Sequence, residues 1–158
     1  MTDVLPSPCS RRPDALRCRS VQGPDELATH HRIRRAVFVQ EQRLFDGDDR
    51  DSHDDDAQVV HVLGFVDDEP AGTVRLYPLS DGVWKGDRLA VLPEHRHAGI
   101  GAPLVRTAVA TAAAAGGRRM DATVQAVNTT FFVHLGWTPV GEPADYLGVL
   151  HQDMTIAL

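Results

Sequence analysis

A glycine-containing junction between a predicted strand and a predicted helix constrains this fold more than any other stretch of the chain. An apolar strand-like run ends at Val91, and after a short polar turn the chain continues as Arg96-His97-Ala98-Gly99-Ile100-Gly101. From Gly99 onward the sequence predicts a long amphipathic helix that ends at Gly116-Gly117, with one apolar stripe made of Ile100, Leu104, Ala108 and Ala112. A strand that passes through a glycine turn into a helix is typical of an α/β fold.

The same junction has the properties of an anion site. Gly99 and Gly101 carry no Cβ that would keep a ligand from the backbone, and the first N–H groups of a helix have no intrahelical partner. Arg96 adds a permanent charge that can donate two hydrogen bonds to phosphate oxygens. A helix start that needs close packing would use the same glycines, so the spacing alone leaves both interpretations open. The commoner nucleotide motifs, G-x-x-x-x-G-K-[ST] and G-x-G-x-x-G, are absent.

The remaining patterns predict a mixed sheet with helices packed on it. A helix is predicted from Gly23-Pro24 to Arg35 or beyond, and a short helix at 129–135 is expected to be capped by Asn128 and closed by Gly136. Alternation of apolar and polar residues predicts strands near 15–21, 59–65, 71–79, 83–91, 120–124, 137–140 and 151–156. The predicted fold class is therefore α/β, in a single domain.

Length and composition define the class of protein. With 158 residues, 42% hydrophobic and 24% charged, the chain fits one globular domain, predicted at 15–158 after a flexible tail at 1–14. A net charge of −6 argues against a nucleic-acid binder. We find no membrane-spanning run and no signal peptide, which predicts a cytoplasmic protein without membrane contact. Cys9 and Cys18 match neither a disulfide scaffold nor a zinc site, and no metal is expected.

Two motifs, in this order and at this spacing, resemble the signatures of the GNAT superfamily of N-acetyltransferases. R-x-x-G-x-G after a strand that ends in L-A-V resembles its acyl-CoA pyrophosphate motif, and NTTFFVHLGW at 128–137 resembles its second signature. IRRAVFVQEQ at 33–42 and GWTPVGEP at 136–143 look like the ElaA-like branch. Within that branch the chain is most similar to a nitrogen-starvation-associated subgroup.

The resemblance implies a mostly antiparallel sheet in which the strand at 83–91 splays from its neighbour and holds the pantetheine arm of acetyl-CoA. It also implies that an acetyl group passes directly to a small-molecule or peptide amine, through a tetrahedral intermediate and without a covalent enzyme intermediate. The residues that it implies for binding the acetyl-CoA cosubstrate are Leu89, Ala90, Val91, Arg96, His97, Ala98, Gly99, Ile100, Gly101, Ala102, Asn128 and Phe131.

An amine nucleophile must lose a proton, so a general base is expected. Glu41 is the first candidate because it follows the helix that lines the acceptor side in similar proteins, although a surface glutamate is the alternative interpretation. His134 and His151 are second choices. Relatives usually carry Phe-Tyr in the short helix, where this chain has Phe131-Phe132, so the usual proton donor is missing. Tyr146 or a water takes its place, unless the thiolate leaves unaided.

The acidic stretch at 46–56 contains no strongly apolar residue and is predicted to be a solvated loop. The family resemblance implies that its aspartates form one charged cluster with Arg34 and Arg75, beside an acceptor pocket where Arg34, Phe38 and Arg75 are the candidate substrate contacts. Either the cluster recognises a cationic amine or it is an ion-pair network that fixes the loop. Both interpretations stay open at this stage.

Two other functions remain alternatives. The acids of the loop, with arginines before and after them, also resemble the acyl-homoserine-lactone synthases, which share the fold and join an acyl chain to S-adenosylmethionine. A non-catalytic acyl-CoA sensor is the other alternative, since the tyrosine is missing. A sheet edge near the C-terminus would also allow a homodimer.

Overall fold

The computed structural model describes residues 14–158, so most of the predicted tail at 1–14 lies outside the described residues. Seven strands form one sheet in the order β1-β2-β3-β4-β5-β7-β6. They are β1 (Leu16–Ser20), β2 (Val60–Val66), β3 (Glu69–Ser80), β4 (Val83–Val91), β5 (Arg119–Gln125), β6 (Thr138–Tyr146) and β7 (Val149–Ala157). All neighbouring strands are antiparallel except β4 and β5, which confirms the predicted α/β fold with a mixed, mostly antiparallel sheet.

Three α-helices pack on this sheet: α1 (Gly23–Arg34), α2 (Gly101–Ala114) and α3 (Thr129–His134). Helix α1 starts with Pro24 in its first turn, as predicted, and runs on as a π-helical segment, Arg35–Glu41. The predicted extension beyond Arg35 is confirmed, but its wider π turns were not predicted. Such turns are rare and are often found at functional sites.

The strands β4 and β5 separate after four residues. Their parallel pairing runs from Val83↔Arg119 to Gly86↔Ala122 and then stops, so the last five residues of β4 have a strand, β3, on one side only. A bulge in β4 accompanies this divergence, since the β3–β4 register shifts between Thr73 and Arg75 and Arg88 has a φ of 54°. This is the splayed central pair that the family resemblance implied.

The two faces of the sheet carry different layers. On one face lies α2, whose predicted stripe of Ile100, Leu104, Ala108 and Ala112 is at most 2% exposed. On the other face, α1 and the π-helical segment contribute Ile33, Val37 and Phe38 to a second apolar cluster. Two local predictions were wrong: α2 begins at Gly101, because Gly99 has a φ of 77° and ends a preceding 3-10 helix, and the Asn128 side chain makes no capping hydrogen bond.

Most residues of the acidic stretch are exposed, as predicted, but the stretch is not solvated along its whole length. Residues Ser52–Asp55 form a 3-10 helix, and the side chains of Asp49 and Asp54 are 0% and 1% exposed. The carboxylates are buried because arginines lie beneath them, which a stretch without apolar residues did not reveal.

Strand β6 is the last strand of the sheet and is exposed along its whole length, so the homodimer stays a prediction. Among the described residues no helix is long and apolar enough to cross a membrane.

Candidate active site

The predicted phosphate-binding segment forms a tight turn between β4 and α2. A 3-10 helix, Pro93–Ala98, leads to Gly99, and the hydrogen-bond ladder of α2 starts with the N–H of Leu104 on the carbonyl of Ile100, at 3.1 Å. The N–H groups of Ile100, Gly101 and Ala102 therefore lie in the first turn and have no carbonyl partner within the helix. An added Cβ on Gly99 would meet nothing within 4 Å, so the space above the turn is open. Free N–H groups at an open helix start of this kind are suited to an anion.

The side chain of Arg96 is fixed beside this turn by two contacts. Its Nε donates to the carbonyl of Val91 at 3.1 Å, and its two terminal nitrogens donate to the carboxylate of Glu41, at 2.7 Å for Nη1. The hydrogen bonds from Arg96 lower the pKa of Glu41, so the carboxylate stays ionised. Glu41 is thus bound to Arg96 beside the turn at residues 96–102, which we call the phosphate turn. It does not line the cavity described below.

A cavity of about 500 Å³ lies at the gap between β4 and β5 and is lined by residues from both faces of the sheet. On the α1 face, which we call the acceptor side, the wall includes Phe38, Gln42, His53, Tyr77, Asp87 and Thr123. On the α2 face, which we call the apolar end, the wall is formed by Val105, Ala108, Met120, Ala122, Val124 and Trp137. The volume lies within the ~300–1,000 Å³ usual for small-molecule sites.

The acceptor side is polar and partly aromatic. The imidazole of His53 stacks on the ring of Tyr77, with centroids 4.0 Å apart and planes 10° apart. Burial, followed by the nearby carboxylate of Asp87, raises the pKa of Tyr77 to about 12, so its hydroxyl stays protonated at neutral pH. Gln125 donates to Gln42 at 2.8 Å, which connects β5 to the end of the π-helical segment.

The apolar end contains one polar atom without a partner. Trp137 is 4% exposed, and among the described residues its indole Nε1 has no hydrogen-bond acceptor. A buried donor left unpaired costs about 1–3 kcal/mol, which a carbonyl-bearing ligand would recover. The thioester and amide carbonyls of an acyl-CoA are acceptors of this kind, so the cavity and the phosphate turn together fit that cosubstrate.

Two residues of the C-terminal hairpin complete the wall. His151 is 8% exposed, and its Nδ1 lies 2.7 Å from the carbonyl oxygen of Val149. A carbonyl only accepts, so Nδ1 must carry the proton and a neutral His151 has its lone pair on Nε2. The ring of Tyr146 packs edge-on against this imidazole, with centroids 5.3 Å apart. Both side chains line the cavity.

Comparison with known proteins identifies the family. Residues 26–136, more than half of the chain, match the acetyltransferase (GNAT) family. The chain belongs to the GNAT acetyltransferase family. The uncharacterized N-acetyltransferase YjcF of Bacillus subtilis (strain 168) is 31% identical over 135 residues, which cover 82% of this chain and 91% of that protein. The prediction that the chain is an acetyltransferase enzyme is thereby confirmed.

Solved structures show how widely the fold of this acetyltransferase is shared. Escherichia coli ElaA superposes with a TM-score of 0.77 at 23% identity, over 90% of this chain and 98% of that one. A CoA-dependent acyl-homoserine lactone synthase, BjaI, whose structure contains SAM and isopentyl-CoA, superposes with a TM-score of 0.72 at 23% identity, over 84% of this chain and 76% of that one. Similarity at this level shows a common fold, and the nitrogen-starvation subgroup stays a prediction.

The predicted charged cluster of the acetyltransferase is an ion-pair network that borders the cavity, with Asp51, Asp87 and Arg88 on the cavity wall. Arg34 binds Asp49 and Asp54 at 2.7 and 2.6 Å, and Arg75 binds Asp51, Asp54 and Asp87 at 2.6, 3.0 and 2.7 Å. Both arginine side chains are 0% exposed and neither lines the cavity. We therefore assign Arg34 and Arg75 to the network, where they cannot touch an amine. Of the three candidate substrate contacts, Phe38 alone lies on the wall.

The other predicted residues of the acetyltransferase fall into two groups. Leu89 and Asn128 line the cavity with Tyr146 and His151, while Ala90 and Val91 continue β4 and the loop residues 96–102 surround the phosphate turn. Phe131 lies next to that turn, 3.6 Å from an added Cβ on Gly101. His134 is exposed at the end of α3 and does not line the cavity.

Sequence reasoning missed several wall residues of this acetyltransferase. Tyr77 and His53 lie in unrelated segments, and only the β3–β4 register and the 3-10 helix bring them together. Glu142 and Asp145 lie on β6, which was predicted to end at Val140. The alternation of β3 would have placed Tyr77 on the same face as Arg75, which was the one usable signal.

Proposed function

We propose that this acetyltransferase passes the acetyl group of acetyl-CoA directly to a cationic amine. The observation that carries the proposal is that the cavity lies between β4 and β5 and has Leu89 of β4 and Val105 of α2 on its wall, the two elements that the glycine turn joins. An acyl-CoA needs an anion site for its pyrophosphate and an apolar slot for its arm, and β4 leads from one to the other here. The acetyl donor would supply the activated carbonyl, and the chain supplies binding, orientation and proton transfer.

Strand β4 would hold the arm of the cosubstrate along its free edge. Beyond Gly86 the strand has β3 on one side only, so backbone groups that would bond a neighbour face the cleft. The N–H groups at Ile100, Gly101 and Ala102 would bind the pyrophosphate with the positive end of the α2 dipole. A free N–H on this edge would also stabilise the oxygen of the tetrahedral intermediate, which is worth about 2.7–4 kcal/mol in acyl transfer.

His151 is the general base in this proposal. Its Nε2 carries the lone pair, because Nδ1 donates to the carbonyl of Val149, and the imidazole lies on the cavity wall. Nε2 first takes one proton from the ammonium group, and the freed lone pair of the nitrogen forms the C–N bond of the tetrahedral intermediate. The C–S bond of the thioester then breaks as Tyr146, packed on the same imidazole, gives its proton to the departing sulfur, and the second proton of the nitrogen returns to the Tyr146 oxygen. Glu41 stays outside this exchange, since its carboxylate is bound to Arg96.

The charges of the wall favour a positively charged acceptor. Among the described residues, five carboxylates line the cavity: Asp51, Asp87, Glu142, Asp145 and Asp153. Two cationic side chains, Lys85 and Arg88, also line the cavity, and Arg88 is itself paired with Asp49 at 2.9 Å. An ammonium group would enter this field favourably, whereas a carboxylate-rich acceptor would be repelled.

One observation favours a second candidate. The arginine–aspartate network beside the acceptor side and the fold shared with BjaI are consistent with a synthase that acylates S-adenosylmethionine, whose amine and sulfonium are both cationic. The carboxylates of the wall fit that acceptor as well. Acetyl transfer remains the first candidate because the family match and YjcF both point to it.

The decisive assay measures free thiol released from acetyl-CoA across a panel of amines, with S-adenosylmethionine as one member. We expect thiol release that depends on a cationic amine and is lost in Gly101→Glu. Release with S-adenosylmethionine alone would favour the synthase. Tight acetyl-CoA binding without release on any amine would favour a sensor.

A further inference from the structure

We propose that the apolar end of the cavity is an acyl-chain subsite that binds chains longer than acetyl, of about four to six carbons. This inference rests on the proposed function, since it concerns the acyl donor of the same site. It goes beyond acetyl transfer because it assigns a donor class: medium-length acyl-CoA thioesters are bound more tightly than acetyl-CoA.

The first argument is the depth of the cavity. Strands β4 and β5 stop pairing after Gly86↔Ala122, and the stretch of β4 from Gly86 to Val91 spans roughly 17 Å at ~3.4 Å per residue. The open cleft along this stretch is the place for the arm of the cosubstrate. The cavity does not end where the strands begin to pair, because its wall also includes Met120, which is paired to Trp84 two residues before Gly86.

The second argument is the chemistry of this deeper wall. Met120, Ala122 and Val124 come from β5, and Val105 and Ala108 come from α2; all five are at most 8% exposed. None carries a charge or a hydrogen-bonding side chain. A methyl group alone buries little surface against such a wall, whereas additional methylenes would bury more of theirs against hydrocarbon.

The third argument is the use of small residues at the point of entry. Gly86 and Ala122 form the last residue pair between β4 and β5, and Ala108 lies on the α2 face of the same chamber. A Cβ added to Gly86 would lie 3.2 Å from the sulfur of Met120, so Gly86 packs directly against this methionine of the wall. Side chains larger than alanine at 108 and 122 would reduce the space at this end of the cavity.

Binding without any amine tests the subsite directly. Calorimetric titration of the whole protein with CoA, acetyl-CoA, butanoyl-CoA and hexanoyl-CoA would give four dissociation constants. Burial of each methylene is worth about 0.8 kcal/mol, or about fourfold in affinity. We expect butanoyl-CoA to bind about fifteenfold more tightly than acetyl-CoA, and hexanoyl-CoA at least as tightly as butanoyl-CoA.

Filling the chamber should remove this gradient. Ala108→Leu adds three carbons inside the chamber, and Ala113→Leu adds the same carbons on the exposed face of the same helix as a control. We expect Ala108→Leu to bring the affinity for hexanoyl-CoA within about threefold of that for acetyl-CoA, whereas Ala113→Leu should keep the wild-type ratio of the two affinities. If Ala108→Leu does not fold, as its circular dichroism would show, Ala122→Val serves the same purpose from β5.

The outcomes separate this inference from the proposed function. Failure to bind any of the four ligands would overturn the proposed function itself. Equal affinity of the wild-type protein for acetyl-CoA and hexanoyl-CoA would overturn the subsite and leave acetyl transfer intact. If affinity still rises with acyl-chain length in the folded chamber variants, the acyl chain binds somewhere else. That result would also overturn the subsite.

Discussion

At the scale of single residues, His151 and Glu41 differ in what their surroundings let them do. The Nδ1 proton of His151 is directed to the carbonyl of Val149, which leaves Nε2 as an acceptor on the cavity wall. The carboxylate of Glu41 is paired with Arg96 and lies outside that wall. A base must be able to reach the amine proton, so geometry ranks His151 above Glu41.

Substitution of the two residues tests this ranking. We expect His151→Gln to lower kcat by about 10²–10⁴-fold, the usual contribution of a positioned base, while acetyl-CoA affinity changes little. Glu41→Gln is the matched control, and its kcat should stay within about threefold of the wild-type value. The comparison uses initial rates of thiol release with the best amine of the panel. If Glu41→Gln shows the large loss and His151→Gln does not, Glu41 is the base.

The buried imidazole of His30 should make stability depend on pH. Its Nε2 lies 3.3 Å from the carbonyl of Val74, and burial, with His61 and Arg34 nearby, lowers its pKa to about 2. An unfolded chain takes up this proton below a pH of about 6.5, whereas the folded chain does so only near pH 2. The contribution of His30 is therefore fully present above about pH 6.5 and decreases as the pH falls, by up to about 1.4 kcal/mol per unit.

Urea unfolding at pH 7 and pH 5 would measure this dependence. The wild-type free energy of unfolding should fall by about 2 kcal/mol more than that of His30→Gln, whose amide can place a donor near the Nε2 position but cannot be protonated. Identical losses in both proteins would mean that His30 does not remain neutral in the folded state.

At the scale of elements, the 3-10 helix at 52–55 is held by charges instead of apolar packing. Although burial opposes ionisation, hydrogen bonds from His61 and Arg34 hold the pKa of Asp54 well below its usual range. Arg75 also reaches Asp54, at 3.0 Å, so one carboxylate joins α1, β2 and β3. Removal of a partner from a buried pair is strongly destabilising because the remaining charges stay buried.

Asp54→Asn should therefore lower the free energy of unfolding by about 3–5 kcal/mol, with acetyl-CoA affinity nearly unchanged. Asp55→Asn is the control, since Asp55 is exposed and next in the chain; its effect should stay within about 0.5 kcal/mol. Chemical unfolding and calorimetric titration of both variants give the two quantities. A stable Asp54→Asn protein with a raised KM for the amine would instead favour recognition of the acceptor by the network.

Elements with a strong periodicity could be predicted from the sequence, and elements fixed by distant charges could not. The apolar stripe of α2 predicted its buried face residue by residue. The burial of Asp49 and Asp54 depends on arginines that are close only in the folded chain, so a local pattern of acids suggested solvent exposure. The π-helical segment escaped prediction for a similar reason, since its turns differ from α turns only in the hydrogen bonds they make.

At the scale of the whole molecule, the site arises where several elements end near the same gap. The glycine turn could be predicted because a strand, two glycines and a helix follow one another in the chain. The walls of the cavity could not be predicted. They are formed by the β6–β7 hairpin, the 3-10 helix at 52–55 and the π-helical segment, which meet only across the splayed strands. The expectation of an acyl-CoA cosubstrate came from the family resemblance, whereas His53, Tyr77 and the apolar end were identified from geometry alone.

The central claim is that the turn before α2 binds the pyrophosphate of an acyl-CoA, and calorimetric titration with acetyl-CoA tests it most directly. Gly101→Glu would place a carboxylate in the anion site with no steric conflict, since an added Cβ meets only Phe131, at 3.6 Å. Ala113→Glu places the same charge about 18 Å further along α2, on its exposed face. We predict that the wild-type protein and Ala113→Glu bind acetyl-CoA alike and that a folded Gly101→Glu protein does not bind it. Undiminished binding by Gly101→Glu, or no binding by the wild-type protein, would contradict the claim.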